Sequence, residues 1–144
     1  MYKVSLMGID DLEEAYKIEC EVNPSPWKYE TFLSSFKVGH KGLICKHDSE
    51  IIGFIIFSPI NSEAHILSIS VTKKIQSKGV GSLLLQSMLD QCAAMNYKKI
   101  FLEVRTSNLQ AINFYQKFGF SKDAIRDNYY KDNSEDALLM SLSI

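Results

Sequence analysis

With 144 residues, 46% of them hydrophobic and 23% charged, the chain has the length of one domain and the makeup of a soluble globular protein. Sixteen Lys and Arg against seventeen Asp and Glu leave a formal net charge of −1, which argues against broad, nonspecific nucleic-acid binding. Cys20, Cys45 and Cys92 are scattered and lack CxxC spacing, so neither a disulfide framework nor a metal site is expected.

The N-terminus offers neither the basic start and apolar core of a signal peptide nor an apolar run of spanning length. A cytoplasmic protein with reduced thiols is therefore expected, with no membrane partner. Tyr2 to Met7 reads as a short strand. Asp10 or Asp11 is placed to cap a helix running to about Glu21, with Leu12, Ala15, Tyr16 and Ile18 toward the core. Pro24 and Pro26 break that helix, because proline removes a donor and restricts the residue before it. A second helix, Tyr29 to Phe36, follows. Gly42 to Lys46 and Ile51 to Pro59 then read as a hairpin around His47-Asp48-Ser49-Glu50. Ala64 to Val71 is the next strand. The long helix Gly79 to Met95 presents Val80, Leu83, Leu84, Met88, Cys92 and Met95 on one face. Lys99 to Val104 reads as a buried strand and Leu109 to Phe118 as a short helix that Gly119 stops in a left-handed turn. Phe120 to Arg126 and Asp136 to Leu142 close the chain as strands. The order predicts a mixed α and β fold, with one central sheet flanked by helices, in a single domain over residues 1–144.

The densest signal is Gln76-Ser77-Lys78-Gly79-Val80-Gly81-Ser82, where an apolar strand gives way to a helix. The glycines bring backbone N–H groups to a helix N-terminus, a setting suited to phosphates. A Walker A loop is absent, and the dinucleotide fingerprint fails because Leu84 stands where its third glycine belongs. Gln-x-x-Gly-x-Gly ahead of an apolar helix instead resembles the acyl-CoA-binding loop of the GNAT superfamily of N-acetyltransferases, and the order of elements agrees from end to end. That resemblance implies a mixed, mostly antiparallel sheet and acetyl-CoA as co-substrate. It further implies that Ile69, Ser70 and Val71 pair with the pantetheine arm, that Ser77, Lys78, Gly79, Val80, Gly81 and Ser82 wrap the pyrophosphate, and that Gln76 belongs to the same cofactor loop. Ser77 departs from a position that is frequently basic, and Lys73 from one that is frequently proline.

Transfer of an acetyl group to an amine needs a proton acceptor for the amine and a proton donor for the departing sulfur. Glu103 is a carboxylate inside the apolar run Ile100-Phe101-Leu102, and desolvation there would raise its pKa toward the range of a general base. Strand alternation equally allows an outward residue paired with Arg105 or a lysine. Tyr115 sits at helical spacing with Ala111 and Phe118, a pattern that also fits a core aromatic, and Asn108 fits a helix cap. Leu102-Glu103-Val104-Arg105 with Asn108 and Tyr115 is similar to the catalytic segment of the RimI-type N-terminal acetyltransferases. The likeness implies Glu103 as proton acceptor, Tyr115 as proton donor and Asn108 as a further cofactor contact. His40, His47 and His65 show no partner in the sequence.

An α-amine titrates near 8 and a lysine near 10.4, so the α-amine is the easier substrate by about 3 kcal/mol at a given pH. Asn128-Tyr129-Tyr130-Lys131-Asp132 with Glu135-Asp136-Ala137 resembles the substrate loop of the protein N-terminal acetyltransferases, implying that Tyr129 and Tyr130 contact the substrate. Trp27 would form the opposite wall. The resemblance implies a protein N-terminus as substrate, specifically the N-terminal alanine of a small-subunit ribosomal protein. A monomer or weak dimer without direct nucleic-acid contact is expected. A GNAT enzyme acting on a small-molecule amine is the alternative, and a non-catalytic acyl-CoA-binding module is a third reading.

Overall fold

A computed structural model describes residues 1–144. Seven strands form one sheet in the order β1-β2-β3-β4-β5-β7-β6, where β1 is Tyr2–Leu6, β2 Lys41–His47, β3 Glu50–Ile60, β4 Glu63–Val71, β5 Lys99–Arg105, β6 Ser121–Arg126 and β7 Ala137–Ser143. Every pairing is antiparallel except β4 with β5. The β2–β3 hairpin turns on Asp48 and Ser49, both at positive φ, which suits a two-residue connection between right-twisted strands. No helix is long and apolar enough to cross a membrane.

The helices are α1 (Leu12–Val22), α2 (Tyr29–Lys37), α3 (Val80–Ala94) and α4 (Leu109–Lys117), and they cover both faces of the sheet. Alternation along β3, shifted once by a bulge at Ile52, sends Ile52, Ile55 and Phe57 to one face and Ile51, Phe54 and Ile56 to the other. The first set meets α3 and α4 in a cluster of 21 buried residues, whereas the second meets α1 and α2 in a cluster of 9. The helix α3 is buried more broadly than one stripe predicts. Leu85 and Leu89 are buried alongside Leu84, Met88 and Cys92, while Leu83 and Met95 are partly exposed. Asp11 occupies the N-cap position of α1, but its side chain makes no capping bond to that helix. A 3-10 turn over Ile9–Asp11 comes first, and the Asp11 carboxylate accepts from Gly8 N–H within it.

One irregularity positions the site. The parallel pairing of β4 with β5 lasts only from Glu63–Lys99 to His65–Phe101. Immediately beyond it, Leu67 is the extra residue of a bulge against β3, and a bulge bends the strand that carries it. From there β4 stays paired with β3 through Val71 and β5 stays paired with β7 through Arg105, but the two strands no longer pair with each other. The sheet therefore opens in its middle, leaving one backbone edge of each strand free.

Candidate active site

Main-chain donors and acceptors on the free edge of β4 need partners, and they face a cavity of about 350 Å³. Its lining brings together Ile69, Ser70, Val71, Gln76, Ser77, Gly79, Val80, Gly81, Ser82 and Asn108, with Gln110, Ala111 and Phe114 of α4 opposite. Lys78 is not among the lining residues. Ser77 and Gly79 both adopt positive φ, at 67° and 88°, and this reverses the chain into α3. The first bond of that helix runs from Leu83 N–H to the Gly79 carbonyl, so the N–H groups of Val80, Gly81 and Ser82 have no helical acceptor. The donors and the positive end of the dipole gather at the cavity mouth. Gln76 Nε2 donates to the Val71 carbonyl, tying the loop to the end of β4.

A second groove, of about 630 Å³, opens across the same gap. It shares Val22, Ile69, Ser70, Asn108 and Ala111 with the first and adds Asn23, Pro24, Ser25, Trp27, Glu103, Arg105, Tyr115 and Tyr130. Asn108 caps α4, its Oδ1 accepting from Ala111 N–H at 3.1 Å. Tyr115 is buried on that helix, and burial pushes its phenol well above the ordinary range, so the hydroxyl keeps its proton.

Glu103 lies on the β5 face opposite Ile100, Leu102 and Val104, and its environment differs from the expected one in two respects. Burial does push its carboxyl upward. However, the hydrogen bond and charge of His65, the Tyr129 hydroxyl and the charge of Arg126 outweigh burial, holding it below the usual glutamate range. His65, which the sequence left without a partner, places Nε2 at 2.9 Å from each Glu103 oxygen. Tyr129 donates its hydroxyl to Glu103 Oε1 at 3.1 Å, so this ring is tied to the carboxylate rather than lining the groove.

Arg105 does not pair with Glu103. It reaches the loop between β6 and β7, bonding Asp132 at 2.9 Å and Glu135 at 3.3 Å, and its guanidinium lies 4.0 Å from the ring centroid of Tyr130. Ser25 Oγ donates to the same Asp132 oxygen at 2.8 Å, joining the two loops that wall the groove. Behind Ser25, the buried Glu19 carboxylate accepts from Trp27 N–H and Asn23 Nδ2, which fixes the Trp27 wall.

Comparison with known proteins identifies the architecture. A family model described as "Acetyltransferase (GNAT) family" matches residues 8–120. The chain belongs to this family. The [ribosomal protein bS18]-alanine N-acetyltransferase of Salmonella typhimurium is a GNAT relative, 32% identical over 100% of this chain and 99% of its own length. The crystal structure of the ribosomal-protein-S18-alanine N-acetyltransferase from Escherichia coli superposes with a TM-score of 0.95 at 33% identity, covering 100% of this chain and 94% of that one. Ard1 from Thermoplasma volcanium follows at a TM-score of 0.91 and 29% identity, covering 99% and 97%.

Acetyl-CoA is the acetyl donor of GNAT enzymes, so this chain is an acetyl-CoA-dependent N-acetyltransferase. The cavity fits that donor on its own terms. It pairs a free strand edge for amide groups with a cluster of unpartnered N–H donors for phosphates. His65 is the site residue that sequence reasoning missed. A signal existed in His65 and Glu103 lying at comparable depth in two apolar runs, but only the parallel register of β4 and β5 reveals that they meet.

Proposed function

We propose that this protein acetylates the α-amine of a protein N-terminus, and that the N-terminal alanine of ribosomal protein bS18 is its substrate. The observation that carries the reading is the meeting of two grooves at the open strand pair, with Glu103 and Tyr115 lining the second of them. One groove suits a long cofactor arm. The other, walled by Trp27 and Tyr130 and closed over by Ser25 and Asp132, suits an extended peptide end. The full-length similarity to bS18-alanine N-acetyltransferases supports the same choice.

Acetyl-CoA supplies an acetyl group on a thioester and leaves as a thiol. Ile69 to Val71 and Gln76 to Ser82 would hold it, with Asn108 at the join. Glu103 accepts the proton that the amine gives up, directly or through a water. Because it stays ionised, it also attracts the ammonium form into the groove, and an α-amine near pKa 8 reaches its neutral form without a strong base. Tyr115, held protonated by burial, donates the proton that the departing sulfur needs.

The test is incubation with acetyl-CoA and a peptide copying the N-terminus of bS18, followed by mass spectrometry. Acetylation at the α-amine, abolished when that amine is blocked, is the expected result. Acetyl-CoA binding without transfer to any peptide N-terminus would overturn the reading and move attention to small amines.

A further inference from the structure

We propose that His65 is the positioning residue that aims the Glu103 carboxylate into the substrate groove and keeps it charged there. The inference rests on Glu103 being the proton acceptor proposed above. Its basis is the place of His65 in the sheet. The pair His65–Phe101 is the last register pair of the parallel β4–β5 ladder, so His65 stands on the final rigid rung before the strands open. Glu103 lies two residues further along β5, on the same face and at the edge of the opening. The imidazole is stacked on Phe101, with centroids 4.7 Å apart and planes 14° from parallel, and this fixes the plane in which Nε2 can donate.

The contact is well shielded. The side chains of His65 and Glu103 are 20% and 16% exposed, so water screens their interaction weakly. A carboxylate at that depth without a donor would favour its neutral form, which cannot accept a proton. Other groups also face the pair. Tyr129 and Tyr130 come from the β6–β7 loop, Arg126 from the end of β6, and His40 from the turn after α2, where its Nδ1 lies 2.6 Å from Ser35 Oγ. Among these, only His65 reaches both carboxylate oxygens.

The experiment is the pH profile of kcat/KM on the N-terminal peptide for the wild type, His65→Phe and His65→Gln, with Glu103→Gln alongside. In wild type, the acid side of the profile follows ionisation of the substrate amine alone. Removing the donor that reaches both oxygens leaves only the Tyr129 hydroxyl and the Arg126 charge to oppose burial, so His65→Phe is expected to move Glu103 protonation upward, toward the assay range. Its defect should then be at least tenfold larger at pH 6 than at pH 8.5, whereas His65→Gln, which keeps an N–H donor, should recover most of the activity at both. A His65→Phe defect of equal size at all pH values would overturn the proposal while leaving Glu103 as base. A Glu103→Gln enzyme with full activity would overturn the base assignment itself, and this inference with it. Titration of the wild-type carboxyls by carbon NMR, with Glu103 assigned by its absence in Glu103→Gln, gives an answer should His65→Phe fail to fold. A midpoint below that of free glutamate, about 4.3, supports the role, and one above it overturns the role.

Discussion

In the reaction proposed above, Glu103 and Tyr115 divide the proton chemistry, and their environments push them in opposite directions. Glu103 is held charged by its partners, while Tyr115 is held neutral by burial. Glu103→Gln should therefore lower kcat by roughly 10²–10⁴-fold in a steady-state assay, with the affinity for acetyl-CoA little changed. Equal losses in both would mean that the residue supports structure instead. Tyr115→Phe removes only the hydroxyl. Because that phenol does not ionise near neutrality, its defect in kcat should be constant from pH 7 to pH 9.5; a defect that vanishes toward the alkaline end would show that Tyr115 is not the acid. Glu103 stood out in the sequence as a carboxylate within an apolar strand, whereas Tyr115 fits the spacing of a core aromatic and was marked only by the resemblance to the RimI-type catalytic segment. The protonation of Glu103 was not legible. Desolvation follows from local sequence, but the donors that overcome it sit 38 and 26 residues away.

At the scale of elements, the site depends on a β4 that bends away from β5 and on a loop held down over the gap. Gly53 of β3 lies behind the bend. A Cβ there would meet the Ser70 carbonyl at 3.0 Å and Leu84 Cδ1 at 3.2 Å, and backbone cannot give way as a flexible side chain would. Gly53→Ala should cost about 1–3 kcal/mol, lowering Tm by about 3–10 °C in a thermal melt, and should raise KM for acetyl-CoA because Ser70 must shift. An unchanged Tm would show that β4 has slack. Arg105 controls the loop. Isolated surface ion pairs contribute little, but this guanidinium joins Asp132, Glu135 and the Tyr130 ring and is only 27% exposed. Arg105→Met should raise KM for the peptide several-fold, leave KM for acetyl-CoA unchanged and speed proteolysis between Asp127 and Asp136. If peptide KM and cleavage both hold steady, the loop is secured by something else. Helix and strand positions were legible from periodicity and from the breaks at Pro24, Pro26 and Gly119. The opening between β4 and β5 was not, since a bulge at Leu67 leaves no mark on an alternating pattern.

The whole molecule inserts β7 between β5 and β6, so the last strand in sequence is interior and the one before it is an edge. Polarity carried part of that order, because every residue of β6 is exposed while β7 buries Ala137, Leu138 and Met140. Chain order alone does not convey it, since neighbouring strands in space need not be neighbours in sequence. The same tertiary contacts set how stability depends on pH. Glu21 is held below the usual range by Lys73 N–H, Asp132 by the Ser25 hydroxyl and Glu135 by Ser107. Groups depressed in the folded state stabilise it above their unfolded values, near 4, and that contribution is lost as pH falls through the folded ones. Burial raises Cys92 to about 11 and Tyr130 to about 12, and raises Cys45 as well. Each of these stabilises the fold below its unfolded value, about 8.5 for a thiol and 10 for a phenol, and the contribution is lost as pH climbs through the folded value. Together they predict a plateau of Tm from roughly pH 5 to 8.5, falling on both sides. Its upper end overlaps the range where an α-amine becomes neutral, so fold and substrate favour the same conditions near pH 8. Thermal melts from pH 3 to 11 test this. A Tm that holds level to pH 3, or climbs beyond pH 9.5, contradicts it. The acid flank should be shallower in Arg105→Met, because Asp132 and Glu135 then have less to lose on protonation.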